Sequence, residues 1–153
     1  TGNAHPNIYP YDALATGTDP VFVAVGNDRQ FASLCRCIGL PDLADDPLYR
    51  TAGARSVHRD GLKQQLEAAM AVFDGRALVE QLMAAGVPAA PVLPVDAALQ
   101  HPHTLHREMV VEMPGGYRGI GAPVKLSRTP ASYRHAPLTP GEAFLPLGDS
   151  TQQ

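Results

Sequence analysis

The chain has 153 residues, enough for one domain with an appendage and for a core of its own without disulfide staples. A formal net charge of −3 and a pI near 6.0 exclude the basic footprint that nucleic acid or an anionic membrane surface requires. Hydrophobic residues at 44% and charged residues at 18% exclude a disordered chain.

No apolar run approaches the roughly 20 residues that span a bilayer, and no signal-peptide pattern opens the sequence. Cys35 and Cys37 are two apart and point in different directions on a helix, so they read as free thiols in a reducing, cytoplasmic setting. The 15 prolines exceed ordinary usage of about 5%. They punctuate the chain with the 14 glycines and predict short elements joined by many turns.

Residues 1–10 read as an extended loop entering the domain. Residues 11–16 and 21–25 are apolar strands around the turn Gly17-Thr18-Asp19-Pro20, which predicts a hairpin. Asn27 or Asp28 can cap a helix over residues 29–38, with Phe31, Leu34, Cys35 and Ile38 on one face and Gly39 as its left-handed stop. After a turn-rich connector, Val57, Leu62, Leu66, Met70 and Phe73 form an apolar stripe over residues 54–73. A further helix over residues 76–85 closes at Gly86 and Pro88.

Residues 89–93 read as a buried strand, and residues 96–105 as a short helix interrupted near Pro102. Residues 109–113 form a strand that turns at Pro114-Gly115-Gly116 and pairs back with residues 117–126. The predicted fold is α+β: a small, mainly antiparallel sheet with a helical middle segment. The predicted organisation is a loop at 1–10, a domain at 11–126 and a Pro-rich extension at 127–153.

The motifs offer little chemistry by themselves. Gly119-Ile120-Gly121 lacks the third glycine and the following helix of a dinucleotide site, so it reads as a turn. His101, His103 and His106 invite a metal, but Pro102 breaks their spacing and no second ligand group pairs with them. They read as a solvated loop or helix end, and no metal is assigned. Cys35, on the apolar face of its helix, reads as inert core. Ser33 and Ser56 lack a triad context. Asp42, Asp45 and Asp46 read as turn caps rather than a carboxylate pair. No catalytic residue is assigned.

Six blocks, in the same order, resemble the C-terminal part of the class III CoA-transferases. That family includes formyl-CoA and carnitine CoA-transferases and α-methylacyl-CoA racemase. The blocks are Gly2-Asn3-Ala4-His5-Pro6-Asn7, Tyr9-Pro10-Tyr11, the run from Val21 to Gln30, the run from Leu40 to Pro47, the run from Ala85 to Val92, and the run from Gly121 to Pro130. Together they extend the resemblance over residues 2–142.

The resemblance implies the small domain of a two-domain protein whose subunits interlock. It places coenzyme A mainly on a Rossmann-like large domain, whose aspartate is acylated and then carries CoA as a thioester. Racemase relatives instead exchange the proton beside the thioester carbonyl. No aspartate of this chain matches the nucleophile's motif. By position, Gly2, Asn3, Ala4, His5 and Pro6 correspond to the family's loop that closes over the nucleophile, although the glycine run of formyl-CoA transferases is replaced here. A plain linker is the other reading of that segment. Pro140-Gly141-Glu142 resembles the start of the family's Gly-Glu-His-Thr segment and then departs from it, which implies a chain shortened at both ends.

The expected function is therefore that of a partial CoA-transferase, inactive alone. CoA thioesters are its family substrate, nothing is bound tightly as cofactor, and the expected partner is a second copy or a separate large-domain chain. The rival is a non-catalytic binding or assembly module on the same fold, and a metal-dependent role through His101, His103 and His106 stands third.

Overall fold

The computed structural model describes residues 2–137, and its contacts divide the chain into two compact units, Thr1–Leu93 and Pro94–Gln153. The first unit opens with strand β1 (Tyr11–Leu14), which pairs antiparallel with β2 (Val21–Ala24) in the register Tyr11↔Ala24 to Leu14↔Val21. A third strand, β3 (Ala89–Pro91), lies antiparallel on the other side of β2, so β2 is central. Strand alternation sends Val21 and Val23 inward, fully buried, on the apolar strand predicted over residues 21–25.

The helices supply the rest of the core. Helix α1 (Asp28–Cys37) starts where the Asn27 side chain accepts the Gln30 N–H, while Gln30 Oε1 accepts from Gly26 N at 2.8 Å. It ends before Gly39, whose φ of +80° is the predicted left-handed stop. A 3-10 turn over Pro41–Ala44 follows. In the connector beyond it, Asp46 accepts from Leu48 N at 2.8 Å, the turn-capping role expected of these aspartates.

The predicted helix over residues 54–73 is two helices, α2 (Ala52–Val57) and α3 (Arg59–Met70), broken at His58 with φ −103° and ψ 28°. The break changes which face of α2 is buried. Val57 is 76% exposed and leaves the predicted stripe, whereas Arg55 is the buried residue of α2. Leu62, Leu66 and Met70 of α3 are fully buried as the periodicity requires, each contributing about 1.5–3 kcal/mol of apolar transfer. Helix α4 (Gly75–Ala84) adds Leu78 and Leu82, and its cap Asp74 accepts from Ala77 N at 3.0 Å. That backbone hydrogen bond, followed by one from Thr18, holds the exposed Asp74 carboxyl below the usual carboxylate range.

Strand β3 corrects the expectation of a buried strand at residues 89–93. It occupies an edge of the sheet with Ala90 exposed, and Pro91, which has no N–H to donate, is suited to an edge.

The second unit contains α5 (Val95–Gln100), α6 (Pro102–His106) and a hairpin of β4 (Val110–Met113) with β5 (Tyr117–Ile120). Gly115 and Gly116, at φ +88° and +81°, make its turn. Residues 121–137 carry no helix or strand, and Ala122 N donates to the Tyr133 hydroxyl at 2.6 Å. Among the described residues of this unit Gly121 alone is buried, while Ile120, Val124, Leu126 and Tyr133 are exposed. Among the described residues no helix is long and apolar enough to cross a membrane.

Candidate functional site

The segment from Gly2 to Tyr9 has no regular secondary structure, yet most of it is tied down. His5 N donates to Tyr11 O at 2.9 Å, and the His5 and Tyr11 rings pack with centroids 5.4 Å apart. The N–H groups of Asn7 and Ile8 both donate to His5 Nδ1 at 3.1 Å, so the imidazole closes a tight turn from within. Gly2 sits at φ +59°, a left-handed conformation suited to glycine. Of the five residues predicted for the site, His5 and Pro6 are held by neighbouring elements, and among the described residues Gly2, Asn3 and Ala4 make no hydrogen bond.

The residues that hold this segment come from the α2–α3 junction. Arg59 donates through Nη2 to Pro6 O at 2.7 Å, with a longer contact of 3.4 Å from Nη1 to His5 O. Ser56 Oγ donates to Asn7 O at 2.8 Å. Beneath them, Arg55 is fully buried and uses its whole fork: Nε to Tyr9 O at 3.0 Å, Nη1 to Tyr49 O at 2.9 Å, and Nη2 to Asp28 Oδ1 at 2.8 Å. Its guanidinium also lies 4.5 Å from the centre of the Phe31 ring. No sequence motif marks Arg55 or Arg59. A basic residue at a predicted helix start has no pattern that marks it as buried.

Polar groups along β1 are also committed. Asp12, 7% exposed, pairs with Lys63 Nζ at 3.0 Å and accepts from Ala13 N at 2.8 Å. Glu67 accepts from Ala15 N at 3.1 Å. Tyr9 is buried, and its hydroxyl has no hydrogen-bond partner among the described residues. Burial, then the Asp12 and Glu67 carboxylates, push its phenol well above the ordinary range, so it remains neutral.

The other candidates lie apart from this segment in function. Cys35 is fully buried, and burial pushes its thiol from an ordinary 9.0 up to about 12, against a smaller opposing pull from Arg55. It is core, as predicted. With the folded value raised, the neutral thiol contributes stability that is complete below pH 9 and declines toward pH 12, as the unfolded chain ionises first. At pH 8 a thiol-alkylating reagent is expected to modify the half-buried Cys37 while leaving Cys35 untouched in the folded chain, which peptide mass spectrometry would check. His101 Nδ1 accepts from His103 N at 3.2 Å and caps α6, a structural use of the first of the clustered histidines. Among the described residues no three His, Cys, Asp or Glu side chains converge as metal ligands.

The ordered blocks and the α+β fold both find their counterpart in known proteins. The model of CoA-transferase family III matches residues 1–142. The chain belongs to this family. The chain is 36% identical over 126 residues to an acetyl-CoA:oxalate CoA-transferase of Acetobacter aceti, covering 82% of this chain and 32% of the relative. It is 32% identical over 145 residues to a succinate–glutarate CoA-transferase of Agrobacterium fabrum, covering 92% and 36%. In structure it resembles a CaiB/BaiF family protein from Brucella suis, with a TM-score of 0.75 at 34% identity over 85% of this chain and 34% of that one. The family III chain described here thus spans about a third of the length of these relatives.

Proposed function

We propose that this chain is the small-domain part of a CoA-transferase that moves coenzyme A between two carboxylic acids. In this reading catalysis needs a large domain bearing the nucleophilic aspartate, supplied by the rest of the polypeptide or by another chain. The match to family III along residues 1–142 carries the reading, supported by relatives named as transferring CoA between carboxylates.

The chemistry requires a carboxylate free to attack the thioester carbonyl, which forms a mixed anhydride and releases CoA as thiolate. The thiolate then attacks the enzyme's side of the anhydride, releasing the first acid and leaving an enzyme–CoA thioester. The second acid attacks that thioester, and the CoA thiolate freed again takes up its acyl group and restores the carboxylate. Asp12 is the most buried carboxylate of the first unit, and its two oxygens are bound by Lys63 and by Ala13 N. It is a structural group. The roles left to this chain are to pack against the large domain and to close the site with Gly2–Pro6. The substrate is a CoA thioester, held chiefly by the large domain, in a reducing, cytoplasmic setting that suits the free Cys35 and Cys37.

Incubating residues 1–153 with acyl-CoA thioesters is expected to give no acyl or CoA adduct by mass spectrometry and no transfer. Adding the large domain is expected to restore transfer. An adduct on any aspartate or glutamate of this chain would overturn the reading.

A second reading, a binding or assembly module without catalysis, is favoured by the exposed Ile120, Val124, Leu126 and Tyr133 of the second unit. A second copy of the chain is its simplest partner. Phe144, Leu145 and Leu147, apolar residues near the end of the sequence, lie outside the described residues. Persistent self-association together with no activity in the presence of the large domain would favour this module.

A further inference from the structure

We propose that Arg55, Ser56 and Arg59 are positioning residues that set the backbone of residues 5–9 and, through it, the reach of Gly2–Pro6. The proposal rests on reading Gly2–Pro6 as the loop that closes over the acyl site. Carbonyl oxygens of residues 5, 6, 7 and 9 are all received by side chains of one helical junction. His5 O and Pro6 O face Arg59, Asn7 O faces Ser56 and Tyr9 O faces Arg55.

The break at His58 makes this possible, ending α2 with Arg55 turned inward and opening α3 with Arg59 against the segment. A guanidinium presents several donors in a fixed plane, so Arg59 can hold two successive carbonyls and still lie 5.9 Å from the centre of the Tyr9 ring. The grip is on the main chain and does not depend on which side chains the segment carries. His5 Nδ1 fixes the same turn from its inner side. Tethered in this way, the stretch from Gly2 to Ala4 has a defined anchor from which to reach a site supplied by the large domain, and a transfer enzyme needs such a reacting geometry held closely.

Arg55 is buried and its loss would disturb the fold, whereas Arg59 and Ser56 act nearer the surface, where positioning separates from folding. The test uses residues 1–153 as wild type, Ser56→Ala, Arg59→Ala and Arg59→Lys. Amide hydrogen exchange at Asn7 and Ile8 is expected to quicken by roughly tenfold in Arg59→Ala, less in Ser56→Ala, and to return toward wild type in Arg59→Lys. Exchange at Leu62 and Leu66 is expected to stay unchanged. No change at Asn7 and Ile8, or an equal rise at all four amides, would overturn the proposal.

In the assembled transferase, with the large domain present, Arg59→Ala is expected to lower kcat by roughly tenfold while KM for the CoA thioester stays within about twofold. Arg59→Lys, which keeps the charge and can reach one carbonyl, should recover part of that loss. An unchanged kcat beside a loosened segment would overturn the lid role itself and leave the clamp as a purely structural tether.

Discussion

Arg55→Ala is expected to destabilise the first unit by about 3–5 kcal/mol, measured by urea unfolding followed by far-UV circular dichroism. The side chain is fully buried and reaches three acceptors on three separate stretches of chain: Tyr9 O, Tyr49 O and Asp28 Oδ1. Truncation leaves the Tyr9 and Tyr49 carbonyls without their donor, at about 1–3 kcal/mol each where the group stays dry. It also opens a cavity beside Phe31, against which the guanidinium packs at 4.5 Å.

The Asp28 end matters less. That carboxylate is 59% exposed, and water replaces much of what it loses. Two further substitutions divide the effect. Arg55→Met restores volume without donors and is expected to recover only the cavity part. Arg55→Lys keeps the charge, but one ammonium cannot meet three diverging acceptors, so it is expected to recover less than half. An unfolding free energy for Arg55→Ala within about 1 kcal/mol of wild type would show that the hub contributes little to folding.

Gly75→Ala is expected to destabilise the same unit by about 2 kcal/mol, although helix propensity alone gives the opposite sign. Gly75 opens α4, where alanine is the better helix former by about 1 kcal/mol. Its surroundings reverse that preference. A Cβ at this position would overlap the carbonyl oxygen of Asp19 and lie 3.1 Å from Thr16 Oγ1. The Asp19 oxygen cannot readily yield, because it is backbone and already accepts from Thr16 Oγ1 at 2.8 Å.

The same turn is tied to α4 by Gly75 N donating to Thr18 Oγ1 at 2.9 Å and to the connection between α3 and α4 by Gly17 N donating to Phe73 O at 3.0 Å. Gly17 is equally confined, since an added Cβ would meet Ala71 O at 2.6 Å. Gly53→Ala is the control. Its position in α2 has open space around a Cβ, and the substitution is expected to stabilise by about 0.5–1 kcal/mol. If thermal unfolding moves both variants in the same direction, close packing of the hairpin turn does not govern Gly75.

Local features, and those carried by the order of short blocks, are legible in the residues alone. Periodicity placed Leu62, Leu66 and Met70 on one buried stripe, and alternation placed Val21 and Val23 on the inner face of a strand. Asn27, Gly39 and Gly86 marked helix ends, because caps and left-handed turns demand particular residues within a few positions. Six short blocks in one order were enough to identify the family.

The tertiary structure decided what depends on partners distant in sequence. Whether β3 is central or an edge depends on which strands flank it, and its short apolar run reads alike in either place. The break at His58 turned Val57 outward and Arg55 inward, because Arg55 finds its acceptors on Tyr9, Tyr49 and Asp28. Those acceptors include backbone carbonyls, which every residue possesses. The clamp on residues 5–9 therefore leaves no signature in its target, and only the folded chain shows why a buried arginine is stable there.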